Sequence, residues 1–291
     1  MTGPALREAG ESLAAPLPPL LAEAEHLAAT VILGDHGRRR AGMGDEFWQY
    51  RHASPGDSTR RIDWRRSARE ENTQFVRETE WQAAQTVDIW VDGAQSMAYA
   101  SASTLVQKGQ RARVLAMAVA ILLIRGGERV GLSAAQIPAR SGDLQITRLA
   151  DALVAHDVPQ DYGAPDTRAV PSRARAIFIS DFLGDIAPVR KAITAAADRG
   201  IRGAILQVLD PTEESFPFDG RTLFQSMSGA MEFETQKAGS LKDRYQARLA
   251  ARKAELADLA LTTGWQFSTH HTDSSAMTAL LWAYQALERR V

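Results

Sequence analysis

Val87-Asp88-Ile89-Trp90-Val91-Asp92-Gly93-Ala94-Gln95-Ser96 is the stretch whose reading decides the fold. An apolar run closes on an acid and a glycine, the form of a buried strand that ends at the rim of a sheet. Downstream, a long helix is expected from about Thr104 to Arg125, stopped by Gly126-Gly127. Further strands are expected at Glu128 to Ala135, Ala174 to Ser180, Gly203 to Leu209 and Trp265 to Thr269, each with a helical pattern before or after it. Strands that alternate with helices predict a parallel sheet covered on both faces. Leu241 to Leu261 reads as a charged amphipathic helix stopped by Gly264, and Ser275 to Arg289 as a last helix with Ser274 as its N-cap. Phe216, Phe218, Phe224, Met231 and Phe233 lack helical spacing and predict an insertion with a β-hairpin near 211–239.

Upstream the pattern differs. Residues 1–34 hold Pro16, Pro18 and Pro19 and then Leu20, Leu21, Ala24, Leu27 and Ala28 at amphipathic spacing, a lead-in helix. Residues 35–85 are rich in Arg, aromatics and Gly, with a turn signal at Pro55-Gly56-Asp57, and predict short strands and loops. The fold class is therefore α/β: a doubly wound, mostly parallel sheet over 86–291, with an N-terminal helix and a small Arg-rich β/loop segment.

Composition narrows the function. The 291 residues are 45% hydrophobic and 24% charged, with a formal net charge of -1, so no global field draws nucleic acid or anionic lipid. Zero cysteines exclude disulfides and thiolate metal sites. Met1 to Gly10 lack a basic stretch followed by an apolar run, so no secretory signal is expected. Val114 to Ile124 is too short to cross a bilayer, which takes roughly 20 apolar residues, and reads as a buried core helix. A cytoplasmic location is the expectation.

Two acids stand where an open α/β sheet binds ligands, beyond the carboxyl ends of its strands. Asp92 ends the first strand, and Asp181 ends Ile177-Phe178-Ile179-Ser180-Asp181. Two carboxylates and nearby hydroxyls suit a hard cation such as Mg²⁺, which takes oxygen ligands. Alternatively, both acids cap the helices after them by accepting backbone N–H bonds.

Asp92-Gly93-Ala94-Gln95-Ser96 is similar to the Asp-x-Ser-x-Ser start of the metal-ion-dependent adhesion site in von Willebrand factor A domains, and Asp181 to that site's third-loop Asp. The resemblance covers residues 86 to 290 as strand order together with these positions. It implies a degenerate metal site of Asp92, Ser96 and Asp181, with Thr167 the nearest candidate for the second-loop Thr. It departs at Ala94, whose methyl stands for the motif's first serine and cannot ligate a cation, so loss of the metal is expected.

A second string precedes the sheet: Gly37-Arg38-Arg39-Arg40, Gly42-Met43-Gly44-Asp45-Glu46-Phe47, Tyr50-Arg51, Pro55-Gly56-Asp57, Arg61-Ile62-Asp63-Trp64 and Ala68-Arg69. This order of motifs resembles the domain of unknown function 58 family, bacterial proteins with a von Willebrand factor A-like domain. Asp57 and Asp63 are suited to bidentate Arg bonds and Trp64 to guanidinium stacking, so Arg51, Gly56, Asp57, Arg61, Asp63, Trp64 and Arg69 read as a structural network or a partner surface. The resemblance implies a partner, a MoxR-type AAA+ ATPase, and a chaperone-like assembly.

Catalytic signals are weak. Ser96 lacks a Gly-x-Ser-x-Gly elbow, no phosphate loop of the Gly-x4-Gly-Lys-Ser/Thr type is present, and strand alternation sends His270 and His271 to opposite faces. From Arg38 to Glu80 ten Arg face eight Asp or Glu, which largely neutralises a nucleic-acid surface despite Phe47, Trp48, Tyr50 and Trp64. The expectation is a non-enzymatic protein-binding adaptor. The alternatives are a metal-dependent hydrolase using Asp92 and Asp181, and nucleic-acid binding through the Arg-rich segment.

Overall fold

The computed structural model describes Ala24, Leu27 and Ala28, then residues 38–42, 46–54, 59, 62–69, 74–227, 229 and 232–288. The chain divides into two compact units, one of Asp35–Gln85 and one of Met1–Gly34 with Thr86–Val291. The smaller unit, read as short strands and loops, holds a three-stranded antiparallel sheet. Its strands are β1 (Arg38–Gly42), β2 (Glu46–His52) and β3 (Phe75–Ala83), in the order β1-β3-β2.

A single helical turn, α1 (Trp64–Ser67), lies between β2 and β3. Asp63 caps it, because its carboxylate accepts the Arg66 N–H at 3.0 Å and the Tyr50 hydroxyl at 2.9 Å. The Ser67 hydroxyl donates to the Asp63 carbonyl and accepts the Phe75 N–H, which ties the turn to β3. Among the described residues of this unit, Arg66 stacks 4.7 Å from the Tyr50 ring centre and 4.9 Å from that of Phe75. Trp64, the residue expected to stack, is 58% exposed, and Arg69 is exposed too. Gly56, Asp57, Arg61 and the Arg51 side chain lie outside the described residues; the Arg51 backbone runs in β2.

The larger unit is mixed α/β around a six-stranded sheet. Its strands are β4 (Thr86–Val91), β5 (Arg129–Leu132), β6 (Ile137–Arg140), β7 (Arg175–Ser180), β8 (Arg202–Leu209) and β11 (Gln266–His271), in the order β11-β8-β7-β4-β5-β6. Four of the five neighbouring pairs are parallel; β5 and β6 are antiparallel. Strand β6 departs from the sequence reading, which ran one strand from Glu128 to Ala135. A short 3-10 turn at Ser133–Ala135 breaks that strand. A link this short can only return the chain antiparallel, since a parallel crossover needs a dozen residues or more.

Helices lie on both faces because β4 alternates its side chains. Val87, Ile89 and Val91 join a core with α2 (Lys108–Arg125), α3 (Asp143–Ala155) and α7 (Ala276–Glu288). Trp90 and, from β7, Phe178 face a second core with α4 (Ile186–Asp198) and α6 (Lys242–Thr263). Every residue of Val114 to Ile124 is buried, as an all-apolar helix must be. Ala24 and Ala28, from the lead-in segment, sit in the same core as α2. Helix α2 starts at Lys108 instead of Thr104, its first N–H donating to the Tyr99 carbonyl at 3.2 Å. After β8 come α5 (Pro211–Ser215) and a hairpin of β9 (Thr222–Gln225) with β10 (Glu232–Thr235).

Packing of α2 supplies the first test. Ile121 is fully buried and Leu261, on α6, is 80% exposed. Ile121→Ala should lower unfolding free energy by about 2–5 kcal/mol through lost burial and a cavity. Leu261→Ala should change it by less than about 0.5 kcal/mol. Urea titrations of the two variants check both.

Candidate functional site

Strands β4 and β7 are parallel neighbours, and the sheet grows outward from them in opposite directions. Their carboxyl ends therefore share one rim, at the switch point where a doubly wound sheet opens a crevice. Asp92 comes directly after the last residue of β4 and Asp181 after the last residue of β7, so the two acids are brought to the same rim. Both are buried, at 3% and 0% exposure.

The Asp92 carboxylate is held by protein donors. Its Oδ1 accepts the Ala94 N–H at 2.9 Å, and its Oδ2 accepts the Ser180 hydroxyl at 2.7 Å and the Gly163 N–H at 3.2 Å. Two glycines permit this crowding: a Cβ on Gly163 would lie 2.3 Å from Asp92 Oδ1, and one on Gly93 would lie 2.6 Å from the His156 carbonyl oxygen. Burial pushes the Asp92 carboxyl above its ordinary range and the charge of Asp181 adds to that, against the pull of the Ser180 hydroxyl and two backbone N–H groups. Ser96 sits in the 3-10 turn Gln95–Ala98, its N–H bonded to the Asp161 carbonyl. Its hydroxyl is buried without a hydrogen-bond partner.

Asp181 meets a residue that sequence reasoning overlooked. Its Oδ1 accepts the Leu183 N–H at 3.1 Å, and its Oδ2 accepts from the Lys108 ammonium at 2.8 Å. The same ammonium donates to Glu213 Oε1 at 2.6 Å and lies 5.7 Å from the Tyr99 ring centre. Lys108 is 1% exposed. Burial works against its charge, but Asp181 and Glu213 outweigh burial and hold its pKa above the ordinary lysine value. Glu213 is fixed in turn by a capping box at α5, its Oε2 accepting the Asp210 N–H. The available signals were a single Lys at the start of the helix that carries the apolar run Val114 to Ile124 and the Asp210-Pro211-Thr212-Glu213 capping pattern.

Thr167 is not brought to the rim. Its hydroxyl donates to the Ala192 carbonyl on α4, and its own carbonyl accepts from Arg199. The implied Mg²⁺ therefore does not fit the residues present: Ala94 offers a methyl, Thr167 is tied to α4, and Asp181 is engaged by an ammonium. Among the described residues no group of three or more His, Asp or Glu side chains is placed to hold a metal ion. The histidine pair divides as alternation requires, with His270 3.4 Å from Arg111 and His271 bonded to Glu214.

Beyond the rim lies a cavity of about 540 Å³, with Lys108, Asp181, Glu213 and Ser96 toward its floor. Phe216, Phe218, Phe224 and Tyr245 form a contiguous aromatic cluster along one wall. At the mouth, Phe233 and Met227 are 55% and 45% exposed, and Arg244 and Arg248 stand one turn apart on α6.

Asp88, also unremarked in the sequence reading, shares the Trp90 face of β4 and is 7% exposed, its Oδ2 without a hydrogen-bond partner. Burial raises its pKa to about 7, against hydrogen bonds from Ser133.

Both buried charge sites can be tested. Lys108→Met should cost about 3–5 kcal/mol, because it strands the buried Asp181 carboxylate and the half-buried Glu213. Much of that loss should return in the triple variant with Asp181→Asn and Glu213→Gln, as read by chemical denaturation. For Asp88, the folded chain binds a proton more tightly than the unfolded chain does, so stability should fall as pH rises from about 4 to about 7. Asp88→Asn should flatten that slope and add no more than about 4 kcal/mol at pH 8. Melting curves across pH measure both effects.

Among known proteins, the family model "Protein of unknown function DUF58" matches residues 49–255. Uncharacterized protein Mb1516 of Mycobacterium bovis is 30% identical over 243 residues, covering 78% of this chain and 74% of that protein. Uncharacterized protein Rv1480 of Mycobacterium tuberculosis matches to the same extent, 30% over 243 residues. Among solved structures, the conserved hypothetical protein BatB from Bacteroides thetaiotaomicron aligns with a TM-score of 0.41 at 14% identity, over 70% of this chain and 98% of that one. An aerotolerance-related membrane protein from Bacteroides fragilis aligns with a TM-score of 0.40 at 14% identity and the same coverage. Among the described residues no helix is long and apolar enough to cross a membrane. By the family model and the mycobacterial relatives together, the chain belongs to the DUF58 family of proteins of unknown function.

Proposed function

We propose that this chain is a non-enzymatic adaptor whose larger unit is a von Willebrand factor A-like domain and whose crevice receives a protein partner in the cytoplasm. The observation that carries the reading is the division of labour inside the cavity. The charged groups at its floor are committed to one another, while its wall and mouth offer apolar rings and guanidinium groups.

Asp92 is spent on Ala94, Ser180 and Gly163, and Asp181 and Glu213 on Lys108. A hydrolase would need such carboxylates turned toward a metal or a substrate proton. The wall, by contrast, suits a partner side chain: exposed Phe233 and Met227 border a half-buried aromatic cluster, the combination of apolar anchor site and polar rim that concentrates binding energy. Among the described residues Arg244 and Arg248 have no carboxylate partner, so a partner segment that carries acids beside an apolar side chain is favoured. The resemblance noted from the sequence supplies the identity of that partner, a MoxR-type AAA+ ATPase acting with the chain in a chaperone-like assembly.

Capture of the purified ATPase on the immobilised chain, with and without nucleotide, tests the reading. The parent chain should retain the ATPase. The double variant Phe233→Asp/Arg244→Glu should weaken binding by about tenfold or more, about 1.4 kcal/mol, with an unchanged circular dichroism spectrum. Retention by neither nucleotide state would overturn the proposal.

A further inference from the structure

We propose that the Lys108 ammonium is the resident cation of the crevice, standing where the Asp181 and Glu213 carboxylates would otherwise gather a divalent ion, so that the site works without metal.

The geometry begins with convergence. Asp181 Oδ2 and Glu213 Oε1 come from separate elements, the end of β7 and helix α5, yet both point at one atom, Lys108 Nζ, at 2.8 and 2.6 Å. Two carboxylate oxygens from different loops on one positive centre are the start of a hard-cation site. A Mg²⁺ ion bonds oxygen at about 2.0–2.1 Å, so an ion on Asp181 Oδ2 would press against the ammonium, two like charges in one buried volume. One cation excludes the other.

The placement of Lys108 on its own helix points the same way. It is the first residue of α2, where the unsatisfied N–H groups of the helix carry partial positive charge and a cation is locally unfavourable. Its helix gains nothing from a lysine there, and its burial at 1% exposure is costly. The carboxylate pair offsets both. Ser96 lines the same cavity, and its hydroxyl is buried without a hydrogen-bond partner. Lysine has three N–H donors and a tethered charge, so it stays bound to both Asp181 and Glu213 at any magnesium concentration.

The test reads metal binding directly and needs no partner protein. For the full chain, calorimetry with MgCl₂ or MnCl₂ should give no saturable heat, and its melting temperature should be the same in EDTA and in Mn²⁺. Saturable binding by the parent chain that Asp181→Asn abolishes would overturn the proposal. Lys108→Ser opens the volume between the two carboxylates, so its melting temperature should climb with Mn²⁺ concentration, as ligand linkage requires. That climb should vanish in Lys108→Ser/Asp181→Asn. Should Lys108→Ser fail to fold in metal-free buffer, refolding in Mn²⁺ reads the same quantity: recovery of folded protein supports the inference, and no recovery overturns it. A Lys108→Ser chain that folds and melts independently of Mn²⁺ would also overturn it.

Discussion

A lysine ammonium enclosed between two carboxylates joins three elements at the open end of this sheet. Lys108 begins α2, Asp181 directly follows β7 and Glu213 belongs to α5, so the ion triad fixes the start of the central helix against the switch point of the fold. In a low-dielectric interior each charge is intolerable alone and acceptable in company. The triad also has supporting contacts. The Tyr99 hydroxyl meets Thr212, the Ser101 N–H donates to Asp210, and Asp210 and Glu213 close the capping box. Loop 99–101 and α5 are thereby bound to each other as well as to Lys108.

The topology makes this cluster part of a site as well as a brace. Because β4 and β7 are adjacent and parallel, the segments that leave them must pass over a single rim. The turn after β4 is pinned by segment 156–163 through Gly93, Gln95, Ser96 and Asp92, which leaves the Asp92 carboxylate inside the protein's own hydrogen-bond network. The hairpin of β9 and β10 and the first turns of α6 then raise an aromatic wall beside the ionic floor. A crevice of this kind has an ion-paired base and an apolar margin bordered by Arg244 and Arg248.

Much of the architecture was legible along the chain. The run from Val87 to Asp92, its successors at 174–180 and 203–209, and the all-apolar helix from Val114 to Ile124 each carry a strong local period, and local period is what decides helix or strand. The hairpin beyond Pro211 was visible because five large apolar residues lacked helical spacing. Strand β6 was not, since Ile137-Pro138-Ala139-Arg140 is short, contains a proline and is recognisable only once β5 is in place to pair with it. Short strands within 35–85 were legible but their pairing was not: β1 and β3 join residues about 40 apart, β2 and β3 residues about 25–35 apart, and no local period announces which strand pairs with which.

By itself the sequence determined the alternation of strand and helix and the position of two acids at strand ends, because both are properties of residues and their near neighbours. Only the tertiary structure decided what those acids do. Lys108 is 73 residues from Asp181 and 105 from Glu213. Coulomb attraction between such groups has no sequence period and depends on distance and burial alone, so the cation of this crevice became visible when the chain was folded around it.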